Sequence, residues 1–245
     1  MIEKTTARNI PPERACAILS VIKEFKGLPS SDLDAIAQVC HWHRYEVGEE
    51  IVRYHDDSNS VFFITQGEMR VHYYSMSGQE VILCDLSAGE LFGELTAIDS
   101  RSRSATVVAK TSSLVASISS SDFLELIYRN RQISFAILQR LTKQIRRLTE
   151  RVFEFSTLLA PSRIQAELLR LAKKQTNGLN TAIISPVPTH AELANLVSSH
   201  REAVTKELNK LENNNLILRK DHELHILDIA KLTKMVENVN EKCSP

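Results

Sequence analysis

Two charged residues that could line a pocket for a small anionic molecule lie in the stretch GELFGELTAIDSRSRSAT, where Glu94 directly follows a glycine and Arg103 lies nine residues later. A glycine permits a turn in which successive backbone N–H groups face an anion. An arginine presents a planar fork suited to phosphate, and a carboxylate accepts a hydrogen bond from a ribose hydroxyl. The spacing predicts either an ion pair across a loop or a pocket for a group that carries one phosphate and a free ribose hydroxyl.

The composition excludes several classes of protein. The chain has 245 residues, 43% of them hydrophobic, and a formal net charge of zero, so a nucleic-acid or membrane partner would need a local patch. Its four cysteines, at positions 16, 40, 84 and 243, are dispersed, which argues against a disulfide framework or structural zinc and fits a reducing cytoplasm. We expect a cytoplasmic protein with no membrane contact, because membrane-length apolar runs and a signal core are both missing.

The elements that must position the charged pair are short and β-rich. After a predicted amphipathic helix in LPSSDLDAIAQV, runs such as SVFFITQGEMRVHYY and SATVVAKTSSLVASIS are separated by DDSNS, QG, SGQ and SAG. Close-set strands with frequent turn signals predict a β-sandwich or barrel rather than a βαβ sheet.

A long helix follows the strands. Its apolar residues alternate at spacings of three and four, which predicts either a helix packed on its own domain or, favoured by the unbroken pattern, a dimer seam. Ile137, Phe153 and Leu158 lie off this seam and are predicted to pack on the β domain, and Pro161 is predicted to end the helix or mark a hinge. The seam residues are Leu138, Leu141, Ile145, Leu148, Val152, Phe155 and Leu159.

The last third of the chain contains two helix starts. Thr189 with Glu192 and Ser199 with Glu202 fit the capping box, and the following LILRKDHELHIL predicts a hairpin that turns near residues 221–223. Two short helices and a hairpin are typical of a winged helix-turn-helix. Its second helix would face DNA through Arg201, Glu202, Thr205 and Lys206, although a charged outer face and a capping role for Glu202 explain the same residues.

Two segments carry a family resemblance. FGELTAIDSRSRSAT closely resembles the phosphate-binding cassette of cyclic-nucleotide-binding domains, and SSHREAVTKELNKLE is similar to the recognition segment of Crp–Fnr regulators. The order of elements looks like the cAMP receptor protein branch of that family over roughly residues 20–230. The resemblance implies an α+β fold with an N-terminal cyclic-nucleotide-binding β-roll (jelly-roll-like) in 1–130, a long dimerisation helix and hinge in 131–160, and a C-terminal winged helix-turn-helix in 161–245.

The resemblance also implies roles for single residues. Gly93, Glu94 and Leu95 would line the phosphate and ribose, Arg103 and Ser104 would hold the cyclic phosphate, and Ala105 would leave room for it. The positions that face the base are Leu148 and Thr149, and the leucine departs from the family because it cannot hydrogen-bond a base. A second departure is His200, which stands where the family has a serine, so Ser199 would take over the helix cap.

The resulting expectation is a homodimeric transcription regulator, not an enzyme, that takes cAMP or cGMP as allosteric ligand and no metal. It would bind RNA polymerase and palindromic double-stranded DNA with TGTGA-like half-sites. Ligand would act through Thr149 and a hinge at Ala160–Pro161. The alternatives are a regulator without a nucleotide or with another effector, such as haem, a constitutive DNA-binding dimer, and a metal-dependent β-barrel enzyme suggested by His41 and His43. An iron–sulfur regulator is excluded because no N-terminal cysteine cluster exists.

Overall fold

The protein divides into two compact units. The structure, a computed structural model, describes residues 10–74, 78, 80–175, 178 and 180–241, so Cys243 and part of the SGQ turn lie outside the described residues. The first unit comprises Met1–Lys143 and the second comprises Gln144–Pro245. No helix in the described part of the chain has the length and apolar character needed to cross a membrane.

The first unit is a β-sandwich flanked by helices. Its strands are β1 (His41–Tyr45), β2 (Glu50–Val52), β3 (Val61–Gln66), β4 (Glu68–Tyr74), β5 (Glu80–Ser87), β6 (Leu91–Phe92), β7 (Thr106–Ala109) and β8 (Ser113–Ile118). Within the described residues they form two antiparallel four-stranded sheets, in the orders β1–β8–β3–β6 and β2–β7–β4–β5. The predicted sandwich is therefore confirmed.

Strand β3 is buried on both faces. Because side chains alternate along a strand, Phe62 and Ile64 point into the core between the two sheets, whereas Val61 and Phe63 pack against helices on the outer face. This double burial explains why VFFIT is a continuous apolar run rather than an alternating one. The helices of this unit are α1 (Pro12–Leu19), α2 (Ser30–Val39), α3 (Glu94–Asp99), α4 (Ser120–Arg129) and the start of α5 (Arg131–Thr157), with a 3₁₀ turn at Lys23–Phe25.

The first part of helix α5 packs against the hydrophobic core of the first unit through one stripe of residues. Ile133 and Ile137 are buried in the cluster that covers Phe63, which confirms the packing predicted for Ile137. Phe153 has an exposed side chain and lies in the second unit, so its packing on the β domain stays a prediction. Leu158 is buried and follows the end of the helix.

The second unit is a winged helix-turn-helix. It contains the end of α5, α6 (Ala160–Gln175), β9 (Ala182–Ile184), α7 (His190–Leu196), α8 (Arg201–Asn213), β10 (Ile217–Lys220), β11 (Glu223–Ile226) and α9 (Ile229–Glu241). The predicted hairpin is β10 and β11, and β9 adds a third strand in the order β10–β11–β9. Helices α6 and α9 and strand β9 were not predicted individually.

Two predicted helix boundaries change. The capping box of Thr189 and Glu192 is confirmed, but the Ser199 cap is wrong, because α8 begins after His200 with no side-chain cap. The Ser199 N–H instead donates to the carbonyl of Ala194 and closes the preceding helix.

The predicted end of the long helix also moves. The break lies at residues 158–159, before the expected Ala160–Pro161. Pro161 falls in the first turn of α6, where a missing N–H costs nothing.

Candidate functional site

The loop between β6 and α3 is shaped by Gly93. This residue has φ +88° and forms the N-cap of α3. A Cβ atom added to Gly93 would lie 2.6 Å from Arg103 Nη1 and 2.8 Å from the Ser60 carbonyl oxygen. Glycine is therefore required twice, once for the left-handed backbone and once for the close approach of the guanidinium.

Arg103 is buried inside this loop, with only 3% of its surface exposed. Its Nε donates to Ser58 Oγ at 3.1 Å, Nη1 to the Gly93 carbonyl at 3.2 Å and Nη2 to the Ser60 carbonyl at 2.7 Å. The guanidinium carbon also lies 5.7 Å from the centroid of the Phe62 ring. Because a guanidinium has five N–H groups, these three bonds to described residues leave two further donors.

Glu94 is the second buried charge of the loop, 4% exposed. Burial raises the pKa of its carboxyl group, and the nearby Arg140 and Arg103 oppose that rise. The ion pair that the structure gives Glu94 is with Arg140 of α5, with Nε 3.9 Å from Oε1. The loop ion pair that the sequence left open, between Glu94 and Arg103, is therefore replaced by a contact to the long helix.

Arg140 is a site residue that the sequence reasoning missed. Its Nη2 donates to the carbonyl of Leu91, and its Nη1 lies 3.7 Å from Oε1 of the buried Glu24. The sequence does contain a signal for Arg140, because this residue lies three positions beyond Ile137 on the buried stripe of α5. A charged residue on an apolar stripe requires a buried partner, and the partners of Arg140 are the carboxylates of Glu24 and Glu94.

The other predicted nucleotide-binding residues lie at different depths. Ala105 is buried, Ser104 is exposed and Leu95 is exposed beside Glu94. Leu148 and Thr149 belong to the second unit and are exposed on α5, where the Thr149 hydroxyl donates to the Ile145 carbonyl at 3.0 Å.

Helix α8 presents a polar face to solvent. Arg201, Glu202 and Lys206 are exposed and line an open depression together with Thr205 and Asn209. His200 is exposed and Ser199 is half-buried at the start of this face.

The Thr205 hydroxyl is already bonded within the protein. It donates to the Arg201 carbonyl at 3.0 Å and meets His190 Nδ1 at 2.8 Å. Burial and the nearby cations Arg219 and Arg201 lower the pKa of His190. Thr205 therefore contacts His190 of α7, a residue that the sequence reasoning missed.

Comparisons with known proteins agree with both halves of the fold. A family model for the cyclic nucleotide-binding domain matches residues 42–130, and one for the Crp-like helix-turn-helix domain matches residues 162–235. The cAMP-activated global transcriptional regulator CRP of Salmonella typhimurium is 30% identical over 194 residues, which cover 78% of this chain and 92% of that protein. The chain belongs to the Crp–Fnr family of transcription regulators.

Other matches of this Crp–Fnr protein also cover about three quarters or more of its chain. The cAMP-activated global transcriptional regulator Vfr of Pseudomonas aeruginosa is 28% identical over 189 residues, 76% of this chain and 88% of that one. The solved structure of CLP, a c-di-GMP responsive global regulator of Xanthomonas campestris, matches with a TM-score of 0.69 and 21% identity over 81% of this chain and 99% of that one. The likeness to CLP supports the fold alone.

Membership of the Crp–Fnr family decides against the enzyme alternative. His41 is exposed, and His43 Nε2 lies 3.1 Å from Ser117 Oγ. Within the described ranges, His, Cys, Asp and Glu residues form no group of three that could hold a metal ion. The HWH motif is therefore part of strand β1 in a transcription regulator.

The predicted seam is mostly exposed on the single Crp–Fnr chain. Leu141 is the exception, because it packs partly against the core of the first unit. The exposed members are Leu138, Ile145, Leu148, Val152, Phe155 and Leu159.

Substitution of Gly93 by alanine tests the loop geometry. We expect Gly93→Ala to lose about 1–2 kcal/mol from left-handed strain, plus a further loss because its Cβ displaces Arg103. The matched control is Gly48→Ala, since Gly48 has φ +84° but no atom within 4 Å of an added Cβ. Urea unfolding followed by fluorescence of Trp42, the single tryptophan, reports on the first unit. Equal losses in both variants would contradict the contact between Gly93 and Arg103.

Proposed function

We propose that the chain is a homodimeric regulator whose affinity for DNA is set by cAMP or cGMP. The observation that carries the proposal is the buried Arg103, held beside Gly93 and Glu94 with two N–H groups left for the oxygens of a cyclic phosphate. Ser104 and Ala105 would complete the phosphate site, and Leu95 would lie along the ribose.

The ribose would bind at Glu94. A ribose hydroxyl that donates to the Glu94 carboxylate competes with Arg140 for the same oxygens or adds to that pair. Because Arg140 belongs to α5, ligand binding at Glu94 acts directly on the helix that carries the seam. This contact supports a nucleotide-dependent switch.

The base would be met by Leu148 and Thr149, and Ser104 would favour guanine if it accepts from the amino group of that base. The switch is a population shift, so the ligand must bind the DNA-competent state more tightly than the other state. Exposure of the apolar seam on the single chain supports a dimer, since such a stripe favours burial against a second copy.

DNA would be bound by α8 in the major groove. Arg201 suits the paired acceptors of guanine, Glu202 suits the amino group of cytosine, and Lys206 suits a guanine or a phosphate. Ser199 and His200, at the start of α8, would lie near the phosphate backbone of the DNA. A dimer would bind a palindromic DNA site with TGTGA-like half-sites. RNA polymerase is the further partner that we propose.

A second candidate function is DNA binding without a nucleotide. It is favoured by one observation, that both Arg103 and Glu94 already have partners inside the protein. These internal contacts would hold the loop in place without any ligand. A measurement of nucleotide binding distinguishes the two candidate functions, because only the first requires it.

Calorimetry with cAMP and cGMP tests the pocket. We expect micromolar binding of at least one nucleotide and a roughly hundredfold loss in Arg103→Ala, equal to about 2.7 kcal/mol, because the charged donors to phosphate are removed. Arg129→Ala is the control, since Arg129 is highly exposed on α4 and pairs with Glu125 one turn away. Absence of binding by either nucleotide at micromolar concentration would refute the sensor and favour the second candidate.

DNA binding by α8 is tested with a duplex selected by the chain from a randomised palindromic library. Arg201→Ala should cost roughly 1–3 kcal/mol on the selected duplex and little on random DNA, because a base contact is lost. Lys174→Ala removes one exposed charge from α6 as a control. An equal loss on both duplexes would reduce Arg201 to a phosphate contact.

Sedimentation tests the seam. Leu148→Lys places a charge in the centre of the stripe and should shift the protein towards monomer. Gln139→Lys adds the same charge at an exposed position of α5 outside the stripe and should leave the dimer intact. A dimer that survives Leu148→Lys would show that the two chains associate elsewhere.

A further inference from the structure

The turn between α7 and α8, residues 197–200, has a conformation that needs support. Ser198 has φ +47°, which is left-handed and unfavourable for a residue with a side chain. The Ser199 N–H donates to the Ala194 carbonyl at 2.9 Å and closes α7. The last carbonyl groups of a helix have no partner within it, so this turn exposes acceptors that other elements must satisfy.

Two arginines from outside the turn satisfy those acceptors. Arg163 of α6 donates from Nε to the Val197 carbonyl at 3.0 Å and from Nη2 to the Ser198 carbonyl at 3.1 Å. Its Nη1 donates to the carbonyl of Leu158, in the break before α6, at 3.1 Å. Arg151 of α5 is buried and donates from Nη2 to the Leu196 carbonyl at the end of α7.

One aromatic ring connects the two arginines. The guanidinium carbons of Arg151 and Arg163 lie 5.3 and 5.5 Å from the centroid of the Phe155 ring. Both distances allow a cation–π interaction. Because Phe155 belongs to α5 and Arg163 to α6, the contacts join the helices on both sides of the break at residues 158–159.

We propose that Arg151, Phe155 and Arg163 form a clamp that positions the recognition helix α8 for DNA. Ser198 is three residues before Arg201, so a clamp that fixes the carbonyls of the turn also fixes the direction of the first turn of α8. The end of the seam helix thereby acts on α8 through the turn. The proposal rests on the DNA-binding part of the proposed function and does not require a nucleotide.

Other features of this region do not explain these contacts. Arg170 also joins α5 to α6, through Glu154 at 2.8 Å and through Glu167, but its ion pairs do not involve the turn. A purely structural role in joining the helices would therefore be shared by Arg170. A role that depends on positive charge alone would be shared by any exposed cation, such as Lys173 at the end of α6.

The test uses the full chain and two measurements. Amide hydrogen exchange of residues 196–200 in the free protein should accelerate at least tenfold in Arg163→Ala and less in Arg163→Lys, which keeps the charge but loses the planar fork. Anisotropy titrations should show at least tenfold weaker binding of the selected palindromic duplex by Arg163→Ala and at most threefold weaker binding of random DNA. Lys173→Ala should leave exchange unchanged and weaken both duplexes equally.

The outcomes separate the clamp from the proposed function. Unchanged exchange in the turn of Arg163→Ala, or equal weakening on both duplexes, would overturn the clamp. If Arg163→Ala does not fold, Arg163→Lys decides by the same two criteria, with a loss confined to the selected duplex supporting the clamp. If the wild-type chain binds no duplex, the DNA-binding function fails, and accelerated exchange still supports the clamp as a support of the turn.

Discussion

The buried guanidinium of Arg103 is the constraint on which the first unit depends. A buried charge is costly unless hydrogen bonds surround it, and here the carbonyls of Gly93 and Ser60 and the hydroxyl of Ser58 do so. Their geometry demands a residue without a Cβ at position 93. The same loop carries Glu94, whose carboxylate is paired with Arg140 of α5. One arginine thus shapes the loop, and a second links that loop to the long helix.

In the second unit, arginine side chains also donate hydrogen bonds to backbone carbonyls. At the turn between α7 and α8, Arg151 and Arg163 donate to helix-end carbonyls and share the ring of Phe155. In both units a planar, permanently charged group replaces water as the partner of backbone carbonyls. Each arrangement supplies hydrogen bonds to the backbone of one loop. The two loops are the ones that a sensor of small anions and a reader of DNA would need to hold still.

The sequence predicted the parts of the structure that depend on local pattern. The sandwich, the helix-turn-helix and the capping box of Thr189 follow from periodicity and turn residues. The spacing of Glu94 and Arg103 left an ion pair between them open, whereas the structure pairs Glu94 with Arg140 and bonds Arg103 to the Gly93 carbonyl. The start of α8 and the break in the long helix were misplaced because the backbone departs from the expected path at each point. Ser198 takes a left-handed conformation, and Pro161 lies in the first turn of α6 instead of ending α5. Arg140 and Arg163 were missed because their partners lie far away along the chain.

The most direct test of the central claim is the linkage between nucleotide and DNA. Anisotropy of a labelled palindromic duplex should be titrated with the chain in the presence of saturating cAMP, saturating cGMP or neither. We expect one nucleotide to tighten DNA binding at least tenfold, an effect lost in Arg103→Ala, and the DNA to tighten binding of that nucleotide by the same factor. DNA affinity that stays within twofold under all three conditions would contradict a nucleotide-controlled regulator.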